Sequence, residues 1–295
     1  MTLGKILVAT ATLNESNNIS ELLSELSSTY PALDILIVDG GSSDNTIAQV
    51  VAEQVTNQNI IYIVQEKRLG IASAHLLAYK YAITNKYDYL ITMDADLSHD
   101  PKEITNFLEK HDNQFDLIVG SRYCNGGATD NSGYRYWISK GANVLAAKII
   151  GGKLSEYTTS FRMFRVESLS QIDTGLIDSK GYSFFFRVIN AFVKSDFSVG
   201  EVPIHFNERK HGKSKIPKFE IIRSLAQLFR IPFTNPRINS QLIHSYENCK
   251  ACQSNFVIGV NRNSSHVRDQ DEPKFGFIPN STITYCCECG QVFYL

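Results

Sequence analysis

Tyr89-Leu90-Ile91-Thr92-Met93-Asp94-Ala95-Asp96-Leu97-Ser98-His99-Asp100-Pro101 is an apolar run of strand length that stops at two acids one residue apart, with a proline opening the next stretch. Such a strand delivers carboxylates to its carboxyl end, where open α/β sheets bind their ligands. Two acids this close raise each other's pKa unless a cation neutralises them. Hard divalent ions such as Mg²⁺ or Mn²⁺ accept oxygen ligands of this kind. An acidic turn after a strand is the plain alternative, since Asp and Ser both favour turns. The flanking sequence decides between the two.

Upstream, Leu3 to Thr10, Asp34 to Asp39 and Ile60 to Val64 read as buried strands. Helical periods lie between them, around Ile19 to Leu26, Ile47 to Val51 and Ala72 to Ile83. Downstream, Asp116 to Val119 reads as a further strand ending in Gly120-Ser121-Arg122-Tyr123. Strands alternating with helices predict an α/β fold with a mostly parallel sheet flanked by helices. The loops Thr12-Leu13-Asn14-Glu15 and Asp39-Gly40-Gly41-Ser42-Ser43-Asp44 follow strands at the same edge. Their acids and amides suit hydrogen bonds to a nucleotide, and the glycines permit close backbone approach. Asn17 and Asp44 are also placed to cap the following helices, which leaves Glu15 and Asp39 for another task.

The ordered set Leu13-Asn14-Glu15, Val38-Asp39-Gly40-Gly41-Ser42-Ser43-Asp44, Lys67-Arg68-Leu69-Gly70 and Asp94-Ala95-Asp96 resembles the inverting family 2 glycosyltransferases of the GT-A nucleotide-diphospho-sugar transferase fold. The chain is most similar there to dolichol-phosphate mannose synthases and other polyprenyl-phosphate glycosyltransferases. Gly120-Ser121-Arg122-Tyr123, Tyr134 to Asn143, Thr159-Ser160-Phe161-Arg162, Val199 to Ile204 and Arg209 to Lys215 continue the likeness to about residue 230. The resemblance implies a metal-dependent hexosyltransferase. Asp94 and Asp96 would serve Mg²⁺ or Mn²⁺, and Leu13, Asn14, Glu15, Asp39, Lys67 and Ala95 would meet the nucleotide. Arg122, Arg135 and Ser139 would grip an acceptor phosphate. Arg209 and Lys215 would lie on a mobile loop over the donor. Departures are Ala11 for a common Pro, Gly40 for a second Asp, Ser98 for a frequent Gln, and no glycine between Ser160 and Phe161.

Arg135 and Ser139 are four apart on a helix and share a face, and guanidinium forks suit phosphate oxygens. An already ionised lipid phosphate needs positioning rather than a general base, so none is assigned. The expected reaction moves mannose, with inversion, from GDP-mannose to a polyprenyl or dolichyl phosphate, with UDP-sugars second as donors. Transfer to a glycan hydroxyl and a non-catalytic sugar-nucleotide-binding scaffold are the rival readings. The stretch from Ile216 to Phe233, apolar at 219, 222, 225, 226 and 229 with Lys218, Arg223 and Arg230 nearby, reads as an interfacial helix or one packed on the domain.

Five of the six cysteines fall from Cys249 onward. Cys249-Lys250-Ala251-Cys252 and Cys286-Cys287-Glu288-Cys289 have the spacing of a four-thiolate structural Zn²⁺ site, a zinc ribbon, with Cys287 left over. Acids offset the bases of that module, so a protein partner is expected there rather than nucleic acid. The organisation expected is a transferase domain over residues 1–235, a linker over 236–248 and the zinc-ribbon-like module over 249–295. Cys124 reads as an ordinary buried thiol. A formal charge of −1 excludes a global attraction to nucleic acid. The apolar start reads as a strand rather than a signal peptide, and a cytoplasmic protein, peripheral at the membrane face, is expected.

Overall fold

The computed structural model describes residues 4–65, 68–111, 115–172, 181, 183–210, 223 and 226–231, and the backbone of strands at 257–260, 283–286 and 292–294. Strands β1 (Ile6–Thr12), β2 (Asp34–Asp39), β3 (Ile60–Val64) and β4 (Tyr89–Asp94) alternate with helices α1 (Ile19–Thr29), α2 (Thr46–Thr56) and α3 (Ile71–Thr84). They are followed by α4 (Ile104–Lys110), β5 (Leu117–Ser121), the short β6 (Ala128–Thr129) and the long α5 (Gly133–Ile150). Next come β7 (Arg162–Arg165), α6 (Val166–Gln171), α7 (Ser183–Lys194), β8 (Val199–Pro203) and β9 (His205–Phe206).

A seven-stranded sheet runs in the order β3-β2-β1-β4-β7-β5-β8. Its strands pair in parallel except β7, which lies antiparallel between β4 and β5. Strand alternation divides the core. Leu7, Leu36, Ile61, Leu90, Leu117 and Phe164 face one layer, which α3, α5, α6 and α7 cover. Val8, Ile35, Ile60, Ile91, Ile118 and Met163 face the other, beneath α1, α2 and α4. Each fully buried aliphatic contributes about 1.5–3 kcal/mol, so the sheet is held from both faces.

Three details depart from the sequence reading. Helix α1 begins after Asn18 rather than Asn17, and Asn18 turns its amide to Glu15. Asp44 is not the cap of α2. It lies one residue before Asn45, and its oxygens accept the N–H groups of Thr46 and Ser16, tying the first two strand-to-helix loops together. The described part of the 216–233 stretch buries Leu228 and Ile231 in the core and leaves Phe229 exposed, so its inward face is offset from the expected stripe.

Candidate active site

The carboxyl ends of β1, β2 and β4 lie side by side, with Thr12 opposite Asp39 and Ala11 opposite Asp94 in register. Asp39 is fully buried, and both its oxygens are engaged. One accepts the N–H groups of Gly41 and Ser42, and the other the hydroxyls of Thr12 and Ser42. Asn14, at φ 53°, binds Ser42 through its own N–H and accepts the N–H of Ser43. Residues read as nucleoside contacts are therefore also the ones that knit the two loops. Gly41 stands at φ 83°, and a Cβ there would meet the Gln65 carbonyl at 3.2 Å. The close approach that required glycine is made by the protein's own backbone. Leu13 precedes this knot, whereas Lys67 lies outside the described residues.

At β4 the chain turns sharply. Leu97 takes φ 62°, a left-handed conformation uncommon for a branched residue and costing on the order of 1–3 kcal/mol. The turn lets Ser98 donate its N–H to Asp96 and folds His99 back beneath Asp94. Ala95 is buried between the acids. Burial and the neighbouring Asp96 push the Asp94 carboxyl up, against a 2.6 Å hydrogen bond from the Ser160 hydroxyl. Burial holds His99 below the usual histidine range, so the ring is neutral. Its Nδ1 accepts the Asp94 N–H, which leaves the proton on Nε2, 3.3 Å from the Thr159 hydroxyl.

Asp94 keeps about a third of its side chain exposed, and Asp96 directs one oxygen to Arg209 Nη2 at 2.6 Å. Two carboxylates with an oxygen each on the cleft suit a hard divalent ion that takes its other ligands from substrate phosphates and water. Among the described residues no group of three or more His, Cys, Asp or Glu side chains is arranged to hold a metal ion. Arg209 also comes within 3.9 Å of Glu15, so the strap after β9 already spans both loops of the cleft. Lys215 lies beyond the described residues.

Arg122, at the end of β5, is nearly buried and pairs with the wholly buried Glu156, Nε to Oε2 at 2.7 Å. Its guanidinium lies 4.4 Å over the Phe206 ring. Tyr123, the next residue, meets Tyr136 of α5 edge to face and hydrogen-bonds Ser139. Ser139 is thus beside the Arg122 loop. Arg135 is on the same helix, with its side chain outside the described residues. The segment Tyr157 to Arg162 needs no glycine because none of its residues has positive φ. Arg162 secures it from below, donating to the carbonyls of Tyr157, Thr159 and Phe185. Cys124 is half-buried rather than buried.

A protein-family model for glycosyl transferase family 2 matches residues 7–173. The chain belongs to glycosyltransferase family 2. This family 2 glycosyltransferase is 34% identical over 214 residues to the polyprenol monophosphomannose synthase of Mycolicibacterium smegmatis, covering 72% of this chain and 81% of that protein. It is 30% identical over 213 residues to the undecaprenyl-phosphate mannosyltransferase of Micrococcus luteus, covering 72% and 87%. Among solved structures, the glucosyl-3-phosphoglycerate synthase of Mycobacterium tuberculosis, in complex with Mn²⁺, UDP and phosphoglyceric acid, superposes with a TM-score of 0.57 at 16% identity over 77% of each chain. That likeness shows a GT-A-type fold for the transferase.

His99, Glu156, Ser160 and Arg162 support this site, and the sequence reading assigned none of them a role. Three sit in quoted motifs, while Glu156 stands in a stretch with no periodicity or spacing to mark it. The zinc-ribbon expectation falls mostly outside the described residues, which exclude Cys249, Cys252 and Cys289. Strands β10 (Val257–Val260), β11 (Ile283–Cys286) and β12 (Val292–Tyr294) form a three-stranded antiparallel sheet that includes the backbone of Cys286.

Proposed function

We propose that the chain transfers mannose, with inversion, from GDP-mannose to a polyprenyl phosphate. The observation that carries this reading is the pair Asp94 and Asp96 at the end of β4, with the Arg122 charge acting on Asp94, in a chain whose relatives are named polyprenol monophosphomannose synthase and undecaprenyl-phosphate mannosyltransferase. Asp94 and Asp96 would hold Mg²⁺ or Mn²⁺, which when bound stabilises negative charge on a departing diphosphate. Glu15 and Asn14, with Asp39 behind them, shape the nucleoside end. Lys67 is assigned to the same end, and Arg209 and Lys215 to the diphosphate. Arg122, Arg135 and Ser139 orient the acceptor phosphate, whose oxygen is anionic near neutral pH and attacks without a base.

The lipid acceptor implies contact with a bilayer. No helix among the described residues is long and apolar enough to cross one. Helix α5 instead leaves Tyr134, Trp137, Ile138 and Val144 exposed along one face, and this face starts beside the Arg122 loop. Aromatic rings with aliphatic neighbours suit the headgroup boundary, so this face supports peripheral association there, with Phe229 a second exposed ring. The spacing of Cys249, Cys252, Cys286 and Cys289 supports a structural Zn²⁺ and a partner-docking role for that module, in which the backbone of Val257 pairs with that of Cys286.

The test offers purified protein a panel of radiolabelled nucleotide sugars with Mn²⁺ and polyprenyl phosphate, following label into the organic phase. Label from GDP-mannose alone is the expected result. Transfer only to water-soluble acceptors, or no transfer from any donor, would overturn the reading.

A further inference from the structure

Glu156 is a carboxylate with none of its surface exposed, six residues before the start of β7, and its ion pair is with Arg122. Its Oε2 accepts Arg122 Nε at 2.7 Å. Its Oε1 accepts the Asn143 amide and the Thr158 N–H, each at 3.0 Å, and the Thr158 hydroxyl. Thr158 Oγ1 in turn takes a bond from Arg122 Nη2 at 3.2 Å. Asn143, from α5, accepts the Tyr157 N–H at 2.7 Å, and Glu201, from β8, takes both the N–H and the hydroxyl of Ser155. The carboxylate is thus fixed from α5 and β8 before Arg122 reaches it.

An arginine at the end of a strand has long, soft torsions and strong competing partners. Asp94, one of the pair that would hold a cation, is a second carboxylate whose charge acts on Arg122. Without Glu156, the guanidinium would be drawn toward that pair, occupying a cation ligand and turning away from an incoming anion. With Glu156, two of its five N–H groups are committed along one edge and its plane is set over Phe206. Glu156 also offsets the Arg122 charge beside Asp94 and Asp96.

We propose that Glu156 is a positioning residue for transfer: it acts through Arg122, holding the guanidinium plane toward an acceptor phosphate and away from Asp94. The identity of that acceptor rests on the function proposed above, whereas the hold on Arg122 does not.

The experiment uses the full chain labelled with ¹⁵N-arginine, the Arg122 Nε–H being assigned through Arg122→Lys. In the wild type this proton should be protected from exchange, and in Glu156→Gln it should exchange at least about tenfold faster. With polyprenyl phosphate and Mn²⁺, Glu156→Gln should lose about tenfold to a hundredfold in kcat, with KM changed less than about threefold. Thr158→Val, which keeps the carboxylate and removes its shared hydroxyl, should show the same pattern more weakly and serves if Glu156→Gln fails to fold. Wild-type kcat per folded molecule in both variants, or an Arg122 Nε–H that exchanges freely in the wild type, would overturn the proposal. Absence of wild-type turnover on polyprenyl phosphate would sink the acceptor reading alone, because the exchange comparison still decides the role of Glu156.

Discussion

Arg209 Nη2 stands 2.6 Å from Asp96 Oδ2, so a side chain of the strap occupies one of the carboxylates assigned to the metal. The strap is seated at several points. Asn207 donates its N–H to the Ser98 carbonyl, Glu208 donates its N–H to Asp130, and Lys210 pairs with Glu21. A divalent ion approaching Asp96 must displace or share this guanidinium. Arg209→Ala should therefore bind Mn²⁺ roughly fivefold more tightly in the absence of nucleotide, equivalent to about 1 kcal/mol for a partly exposed pair. Calorimetric titration would show it. Unchanged or weaker binding would mean that Arg209 and the ion do not compete.

Asp94 carries a second consequence. Burial and the Asp96 charge disfavour its ionised form, while Ser160 can donate equally well to an amide oxygen at the same place. Asp94→Asn should raise Tm in EDTA by about 2–4 °C, the shift expected for ~1 kcal/mol in a chain of this size. The wild type should gain further stability from Mn²⁺, and the variant should gain none. A fall in Tm in EDTA would contradict the repulsion.

Glu103 offers a pH signature away from the metal. Burial and Asp100 push its carboxyl up to about 7 from 4.5, although it accepts the His205 N–H. Below pH 4.5 both folded and unfolded chains hold the proton. As pH rises from there to 7 the unfolded chain releases it first, so the folded state loses stability until the folded carboxyl ionises too. Glu103→Gln should flatten the urea midpoint between pH 4.5 and 7 and exceed the wild type at pH 8. Parallel profiles for the two proteins would refute the assignment.

Arg162 is among the largest wholly buried side chains of the described residues. Burial pulls its guanidinium down to about 10, which still leaves it charged at neutral pH. Its three carbonyl partners have lost access to water. Arg162→Met keeps the volume and strands them, at roughly 1–3 kcal/mol for each acceptor left unmet. Urea unfolding should show a loss of several kcal/mol, together with weaker Mn²⁺ binding as Ser160 loses its place against Asp94. Near-wild-type stability would show that the segment is held by other means.

The exposed face of α5 makes the membrane reading testable. Trp137→Glu should reduce co-flotation with polyprenyl-phosphate-containing liposomes severalfold without changing Tm, because Trp137 is 68% exposed. Equal flotation of variant and wild type would remove this face from the interface.

Much of this architecture was readable from residue order. The β2 and β3 strands fall where continuous apolar runs placed them, Asp34–Asp39 and Ile60–Val64. Asp94 and Asp96 sit at a strand end because a hydrophobic run must stop where the sheet meets water. The antiparallel β7 was not legible, since Arg162–Arg165 carries a charge at each end and its pairing partners lie some 45 to 75 residues away in sequence. Helix capping also misled. Asp44 has the right chemistry for a cap, yet it stands one residue before the N-cap Asn45 and gives its second oxygen to the N–H of Ser16, from a loop folded against it.

The sequence by itself determined the alternation of strands and helices, the acids at the end of β4 and the family, because periodicity and motif order are local properties of the chain. Only the tertiary structure decided that Glu156 belongs to Arg122, His99 to Asp94 and Arg209 to Asp96. Those pairings join residues far apart in sequence or turned by a strained backbone, and a buried charge finds its partner through the packing of the whole sheet rather than through its neighbours in the chain.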